Sequence, residues 1–303
     1  MKKVAIMILL GQSNAVGHGI PMDPADYIST PLKNVFGLHR NKNQSLSNEE
    51  LHWEGYTSAG MNLAEEQDHT YSVANCLAKA WQDEIDAGNP RNLPDLYIVH
   101  IAIGAQGIAR NDMWYPDREP VLIPGKLGTV NISLFPYTLH IFFLLRSWLE
   151  HEALEPTYLG IHWRGGEQDI LEASNYLQEH LLGLYHRLFD EFTEALGQAV
   201  PIILHHYPYD KNMRNRGEES PKFVENMALI NGIFRQLAKD YPQISIFDIR
   251  NAPLYQPELP NDGLFIDDLI HYTPAANQWT AEQILASFSE NFIASTSTEV
   301  HHV

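Results

Sequence analysis

Ser13 stands in Gly11-Gln12-Ser13-Asn14, directly after the apolar run Val4-Ala5-Ile6-Met7-Ile8-Leu9-Leu10. A short apolar run ended by glycine reads as a buried strand, which puts Ser13 at that strand's carboxyl end. In open parallel α/β sheets, ligands and chemistry collect at this end. A serine there is either a helix N-cap or a nucleophile in need of a base. Near the other end of the chain, Asp268-Leu269-Ile270-His271-Tyr272-Thr273-Pro274 holds a carboxylate three positions before a histidine, just ahead of a helix opened by proline. Serine, histidine and aspartate supply a hydroxyl nucleophile, its general base and the group that orients the base. Asp267, next in line, is a second candidate for the last role.

The elements that must position these residues follow from the hydropathy pattern. Apolar, β-rich runs recur at residues 4–10, 34–38, 96–103, 157–163, 200–206 and 244–249. Helical patterns lie between and after them at 71–86, 137–152, 169–196, 221–241 and 274–292. Strands alternating with helices predict βαβ units and a parallel sheet covered on both faces. Residues 19–68 are loop-rich, with several Pro, Asn and Asp, and read as an insertion near the sheet's carboxyl edge that shapes a pocket. The stretch from Tyr137 to Leu149 contains Ile141-Phe142-Phe143-Leu144-Leu145 but is broken by His140 and Arg146. It is shorter than the ~20 apolar residues a bilayer requires, so it reads as a buried core helix. No repeat of fixed period appears. The tail from residue 295 is small and polar, and is expected to fray.

Two middle segments complete a pattern. They are Ala102-Ile103-Gly104-Ala105-Gln106-Gly107-Ile108 and Trp163-Arg164-Gly165-Gly166-Glu167-Gln168-Asp169. With Gly-Gln-Ser-Asn before them and Asp-Leu-Ile-His after, the four blocks resemble, in order, those of the SGNH/GDSL hydrolase superfamily. The resemblance is to its carbohydrate-esterase branch, which includes sialate O-acetylesterases and acetylxylan esterases. It spans residues 4 to about 290, and it implies a three-layer α/β/α sandwich with a central parallel sheet of flavodoxin-like type. A single domain over 1–294 with a frayed tail over 295–303 is expected. The resemblance also assigns roles. Ser13 becomes the nucleophile and, through its backbone N–H, an oxyanion donor; His271 is the base. Asp268 orients the imidazole, because Asp-x-x-His is the family pattern. Gly104 donates a backbone N–H to the oxyanion; Gly107 is a second oxyanion glycine or a plain turn residue. Gln12, Asn14, Glu167 and Asp169 line the pocket or support it from behind, and Trp163 packs nearby. One position departs from the pattern. The third block is usually Trp-x-Gln-Gly-Glu-x-Asp, and Gly165 stands where the glutamine's amide would be the third oxyanion donor. Arg164, Gln168, a water or the N–H of Gly165 itself is then left to fill that place.

Composition narrows the partners. With 303 residues, 44% hydrophobic and 19% charged, the chain is long enough to bury a sizeable core. A formal net charge of −18 excludes the basic surface that nucleic acid demands and disfavours anionic membranes. Cys76 is the sole cysteine, so no intramolecular disulfide forms, and its helical context predicts a buried, inert thiol. Met1-Lys2-Lys3 precedes the apolar run as in a signal peptide, but that run ends in Gly-Gln-Ser-Asn rather than a small-residue cleavage site. A cytoplasmic location is expected. There are fifteen histidines, yet His205 and His206 are adjacent on a strand and point apart, and His162 and His18 lack a partner at ligand spacing. No metal site and no cofactor are expected. The expected activity is removal of acetyl groups from a small-molecule or oligosaccharide ester, with no nucleic-acid or membrane partner. Two alternatives stand beside it: a catalytically weak carbohydrate-binding relative, and a lipase or thioesterase with another acyl chain.

Overall fold

The computed structural model describes residues 1–18, 22–39, 51–64, 71–110, 112–125, 128–208 and 221–297. Among them, the strands are β1 (Lys2–Gly11), β2 (Val35–Leu38), β3 (Trp53–Gly55), β4 (Asp95–Ala102), β5 (Val121–Gly125), β6 (Gly128–Ile132), β7 (Leu154–Arg164), β8 (Ile202–His205) and β9 (Ile244–Phe247). Seven form one sheet in the order β3-β2-β4-β1-β7-β8-β9. All neighbours are parallel except the β2–β3 pair at the edge. Six α-helices accompany them among the described residues: α1 (Ser13–Val16), α2 (Val73–Asp86), α3 (Leu134–His151), α4 (Ser174–Leu196), α5 (Pro221–Asp240) and α6 (Pro274–Ser297).

β1 is apolar on consecutive residues because both of its faces are covered. Val4, Ile6, Ile8 and Leu10 join one core with residues of α3, α4 and α5, such as Phe142, Leu181 and Phe234. Ala5, Met7 and Leu9 join another with Leu77 and Trp81 of α2 and Ile284 and Phe288 of α6. Each buried aliphatic side chain of this kind contributes roughly 1.5–3 kcal/mol, so β1 is anchored from two sides. Register then brings three exits to one level: Gly11 pairs with Ala102 of β4 and with Arg164 of β7. Setting aside β2, β3 and the β5–β6 pair, the sheet order by chain position is second, first, third, fourth, fifth. The direction of winding reverses beside β1, and such a switch point opens a crevice at the strands' carboxyl ends.

Several expectations need correction. The sheet is not wholly parallel, since the three-residue β3 lies antiparallel on β2 inside the segment read as loop. Strands β5 and β6 pair antiparallel in a separate hairpin that the pattern concealed, because Pro124 and Gly125 read as breakers. The helix expected from Asp169 is a 3₁₀ turn (Gln168–Leu171) followed by extended residues 172 and 173, and α4 starts at Ser174. Helix α6 runs through Ser297, and residues 298–303, most of the expected tail, lie outside the described ones. Parts of the 19–68 segment, residues 19–21, 40–50 and 65–70 in its neighbourhood, also lie outside the described residues. No helix among the described residues is long and apolar enough to cross a membrane.

Candidate active site

The chain leaves β1 through Gly11 at φ 142°, where a Cβ would collide with the carbonyl oxygen of Arg164. Only glycine tolerates both that torsion and that approach. The N–H of Gln12 donates to the same carbonyl at 3.0 Å, locking the exits of β1 and β7 together. Then comes α1, a single turn. Its cap position is Gln12, whose carbonyl accepts from Ala15 and Val16 at 2.7 and 2.9 Å, so Ser13 is not the N-cap. Gly17, left-handed at φ 89°, ends the turn, and the N–H groups of Gly17 and His18 both reach the carbonyl of Ser13 at 2.8 and 3.0 Å. Ser13 itself is half-buried.

His271 sits in a loop pinched by an antiparallel bridge between Phe265 and Tyr272, whose rings stack at 5.0 Å. Within it Leu269 takes φ 60°, a sparsely populated region for a branched side chain. That turn lets one carboxylate serve three donors. Asp268 Oδ1 accepts from the N–H groups of Ile270 and His271 at 2.8 and 2.9 Å, and Oδ2 lies 2.5 Å from His271 Nδ1. Desolvation alone would raise this carboxyl, yet the backbone N–H and ring of His271, with the N–H of Ile270, hold it below the ordinary carboxylate range. An ionised carboxylate only accepts, so Nδ1 of His271 is the donor in this contact. Asp267 is exposed, and the acid that meets the imidazole is Asp268.

What joins the serine to this loop is the residue beside it. The Asn14 side chain donates to the carbonyl of Ile270 at 3.2 Å and accepts from the N–H of Tyr272 at 3.3 Å, bracketing His271. The same amide donates to Glu167 Oε1 at 3.0 Å, while Gln12 Nε2 donates to Glu167 Oε2 at 2.7 Å. Burial pushes the Glu167 carboxyl up, and the Asn14 amide pulls against that shift. Below, Arg164 is buried, donates to Asn277 Oδ1 at 2.8 Å and lies 4.8 Å over the Tyr272 ring.

The remaining predicted residues surround this clamp. Gly104 lies two residues past β4, and a Cβ there would stand 3.2 Å from His18 Cε1. Gly107 is more than a turn residue: a Cβ would strike the carboxylate of Asp169. Asp169 is fully buried and accepts from the N–H groups of Ile108 and Ala109 at 3.0 and 2.9 Å. Burial raises its carboxyl to about 7. Gly165 is wedged between Trp163 and Gly11, with a would-be Cβ at 3.0 and 3.2 Å, and its carbonyl accepts from the Tyr207 hydroxyl. Neither Arg164 nor Tyr207 is therefore idle, and Trp163 is packed edge-on against Trp114 at 4.9 Å.

His162, unpartnered by sequence spacing, meets His205 across neighbouring strands, Nδ1 to Nε2 at 3.2 Å. Burial, reinforced by Arg164, lowers both below the ordinary histidine value, so the pair shares one donor N–H and stays neutral. His205 is thereby part of the interior, not of an open pocket. Among the described residues no group of three or more His, Cys, Asp or Glu is placed to hold a metal ion. Cys76 is buried, and desolvation pushes its thiol far above the ordinary value.

No family model matches the sequence, and no curated protein matches it. Among solved structures, the chain is similar to the crystal structure of NanS, with a TM-score of 0.55 and 16% sequence identity. The likeness covers 95% of this chain and 98% of that one. At that identity it is a likeness of fold: a mixed α/β architecture built on a mostly parallel sheet.

Proposed function

We propose that the chain is a serine esterase of the SGNH-hydrolase kind, built as one three-layer α/β/α domain over residues 1–294. Its substrate is an O-acetyl ester on a carbohydrate, either sialic acid or a plant-type polysaccharide fragment. One observation carries the reading: Asn14, the residue after Ser13, is hydrogen-bonded to both neighbours of a histidine whose Nδ1 faces a carboxylate. In the reaction, Nε2 of His271 takes the Ser13 proton as Oγ bonds to the acyl carbon, and the carbonyl π pair moves onto oxygen. The N–H groups of Ser13 and Gly104 stabilise that oxyanion. Collapse expels the sugar alkoxide, which receives the proton from His271. Water, deprotonated by the same nitrogen, bonds to the acyl carbon; the carbon–Oγ bond then breaks, Ser13 Oγ takes that proton back from His271, and acetic acid leaves and ionises to acetate. Asp268 stays ionised throughout and stabilises the imidazolium.

The test is hydrolysis of p-nitrophenyl acetate and of acetylated glycans by wild type and Ser13→Ala. Loss of a nucleophile should lower kcat on the order of 10³-fold or more, with the melting temperature held. Equal rates in the two proteins would reject the assignment. Gly165 favours a second reading, a weak relative that binds sugar, because that position brings no side-chain donor to the oxyanion. A p-nitrophenol burst followed by turnover supports the enzyme; sugar binding without a burst supports the relative.

A further inference from the structure

Ser13 has an amide side chain on either side of it in sequence, and two backbone groups decide how each amide is turned. The N–H of Gln168 donates to Gln12 Oε1 at 3.3 Å. The N–H of Tyr272 donates to Asn14 Oδ1 at 3.3 Å. A backbone N–H only donates, so each amide gives it the oxygen and turns its NH₂ end toward an acceptor. One side chain serves both. Glu167 Oε2 accepts from Gln12 Nε2 at 2.7 Å, and Oε1 accepts from Asn14 Nδ2 at 3.0 Å.

The chain reaches this place by a tight reversal. Arg164, the last residue of β7, pairs with Gly11, and Gly165 and Gly166 follow it. Gly166 takes φ 115°, and a Cβ there would stand 2.6 and 2.9 Å from the hydroxyls of Tyr207 and Tyr185. Only glycine fits that torsion and that space, and the next residue is Glu167. Two acceptor oxygens are needed, and a carboxylate supplies them; a glutamine or a protonated acid would set a donor against one NH₂. Burial raises this carboxyl, while the Asn14 amide, its own backbone N–H, Arg164 and His271 favour the ionised form. Asn14 also donates to the carbonyl of Ile270, so the carboxylate is linked through one amide to both neighbours of His271.

We propose that Glu167 is a positioning residue for the reaction: its carboxylate fastens the residues before and after Ser13 to the exit of β7 and, through Asn14, to the loop of His271. The inference rests on the esterase reading above. Glu167 exchanges no proton in the reaction. It sets where nucleophile and base stand, and a misplacement of about 1 Å between them can cost on the order of 10²-fold in rate.

The experiment measures melting temperatures, and kcat and KM for p-nitrophenyl acetate well below the lowest of them. The proteins are wild type, Ser13→Ala, Glu167→Gln and the swap of Gln12→Glu with Glu167→Gln. The single variant leaves one acceptor oxygen for two amides. The swap restores the pattern: the carboxylate at position 12 accepts from the N–H of Gln168 and from the amide at position 167, whose oxygen accepts from Asn14. Glu167→Gln should lower kcat on the order of 10²-fold with KM nearly unchanged, and the swap should recover about tenfold of that loss. Undiminished kcat in Glu167→Gln overturns the proposal, and so does a rise in KM alone, which marks a substrate contact. A swap that regains the melting temperature without kcat overturns it too, because the bonds are then structural only. So does a swap that regains neither or does not fold. If Glu167→Gln alone does not fold, the swap is set against wild type: kcat within about tenfold supports the role, and a larger loss overturns it. Wild type with no turnover that depends on Ser13 removes the esterase reading and this role together, a pattern distinct from the others.

Discussion

Asn14 accepts from the N–H of Tyr272 and donates to Ile270 and Glu167, so one small amide holds the histidine loop against the exit of β1. Truncating it removes bonds to three partners on two segments, the backbone carbonyl of Ile270 and N–H of Tyr272 in one loop and the Glu167 carboxylate in another. A buried polar group left without a partner costs about 1–3 kcal/mol. Asn14→Ala should therefore lower the urea midpoint and, because His271 is no longer fixed, lower kcat as well. A variant that is destabilised yet fully active would separate the clamp from the chemistry. Asp268 contributes differently. Its carboxyl is held below the ordinary range in the folded chain, so its stabilisation is present above that range and is lost as pH falls through the folded value. More than a third of the side chain is exposed (37%), which keeps the effect small through solvent screening. Urea midpoints should fall with acid below about pH 4 in wild type, and less steeply in Asp268→Asn. Identical slopes would mean that the imidazole and turn N–H groups do not hold this carboxylate in solution.

At the level of elements, the 3₁₀ turn Gln168–Leu171 is tied to the loop after β4 by Asp169, whose buried carboxyl is raised to about 7. The sign is the reverse of the Asp268 case. From the ordinary carboxylate range up to that value, the unfolded chain is ionised while the folded one holds its proton, so stability falls as pH rises. Asp169→Asn keeps an oxygen for the N–H groups of Ile108 and Ala109 and has no proton to lose. Its midpoint should be flatter than that of wild type between about pH 4 and 7; a parallel curve would show that Asp169 ionises without penalty. The resemblance placed Asp169 in the pocket or behind it, but its bonds to the N–H groups of Ile108 and Ala109, 61 and 60 residues away, leave no trace in the sequence. What could be read was local. An apolar run closed by glycine marks β1, the Asp-x-x-His pattern of the resemblance singled out Asp268 beside His271, and helical patterns located α2, α3, α5 and α6. What was hidden acts across the chain: Gln12 with Glu167, 155 residues apart, or His162 with His205, 43 apart. Such bonds leave no periodic trace. Short elements were hidden for another reason, since the three residues of β3 are too few to show alternation.

For the molecule as a whole, 38 acidic residues stand against 20 lysines and arginines, giving a formal charge of −18. A field of that sign repels anionic substrates before any contact forms and leaves neutral ones untouched. Among the described residues, the arginine beside Glu167 is Arg164, which is buried and engaged by Asn277. The two carbohydrate classes in the proposed reading differ in this respect, because sialic acid carries a carboxylate and a plant-type xylan fragment need not. Salt separates them. Raising ionic strength to about 0.15 M shortens the screening length to about 8 Å, which relieves long-range repulsion and leaves close contacts almost intact. For O-acetylated sialic acid, kcat/KM should rise as salt is added from low ionic strength; for an uncharged acetylated xylo-oligosaccharide it should stay level. The effect belongs in kcat/KM rather than kcat, since it acts on encounter. A rate on sialic acid that falls with added salt would require a cationic contact near Ser13 strong enough to reverse the field of the whole chain, and the neutral carbohydrate would then lose its electrostatic advantage as the substrate class.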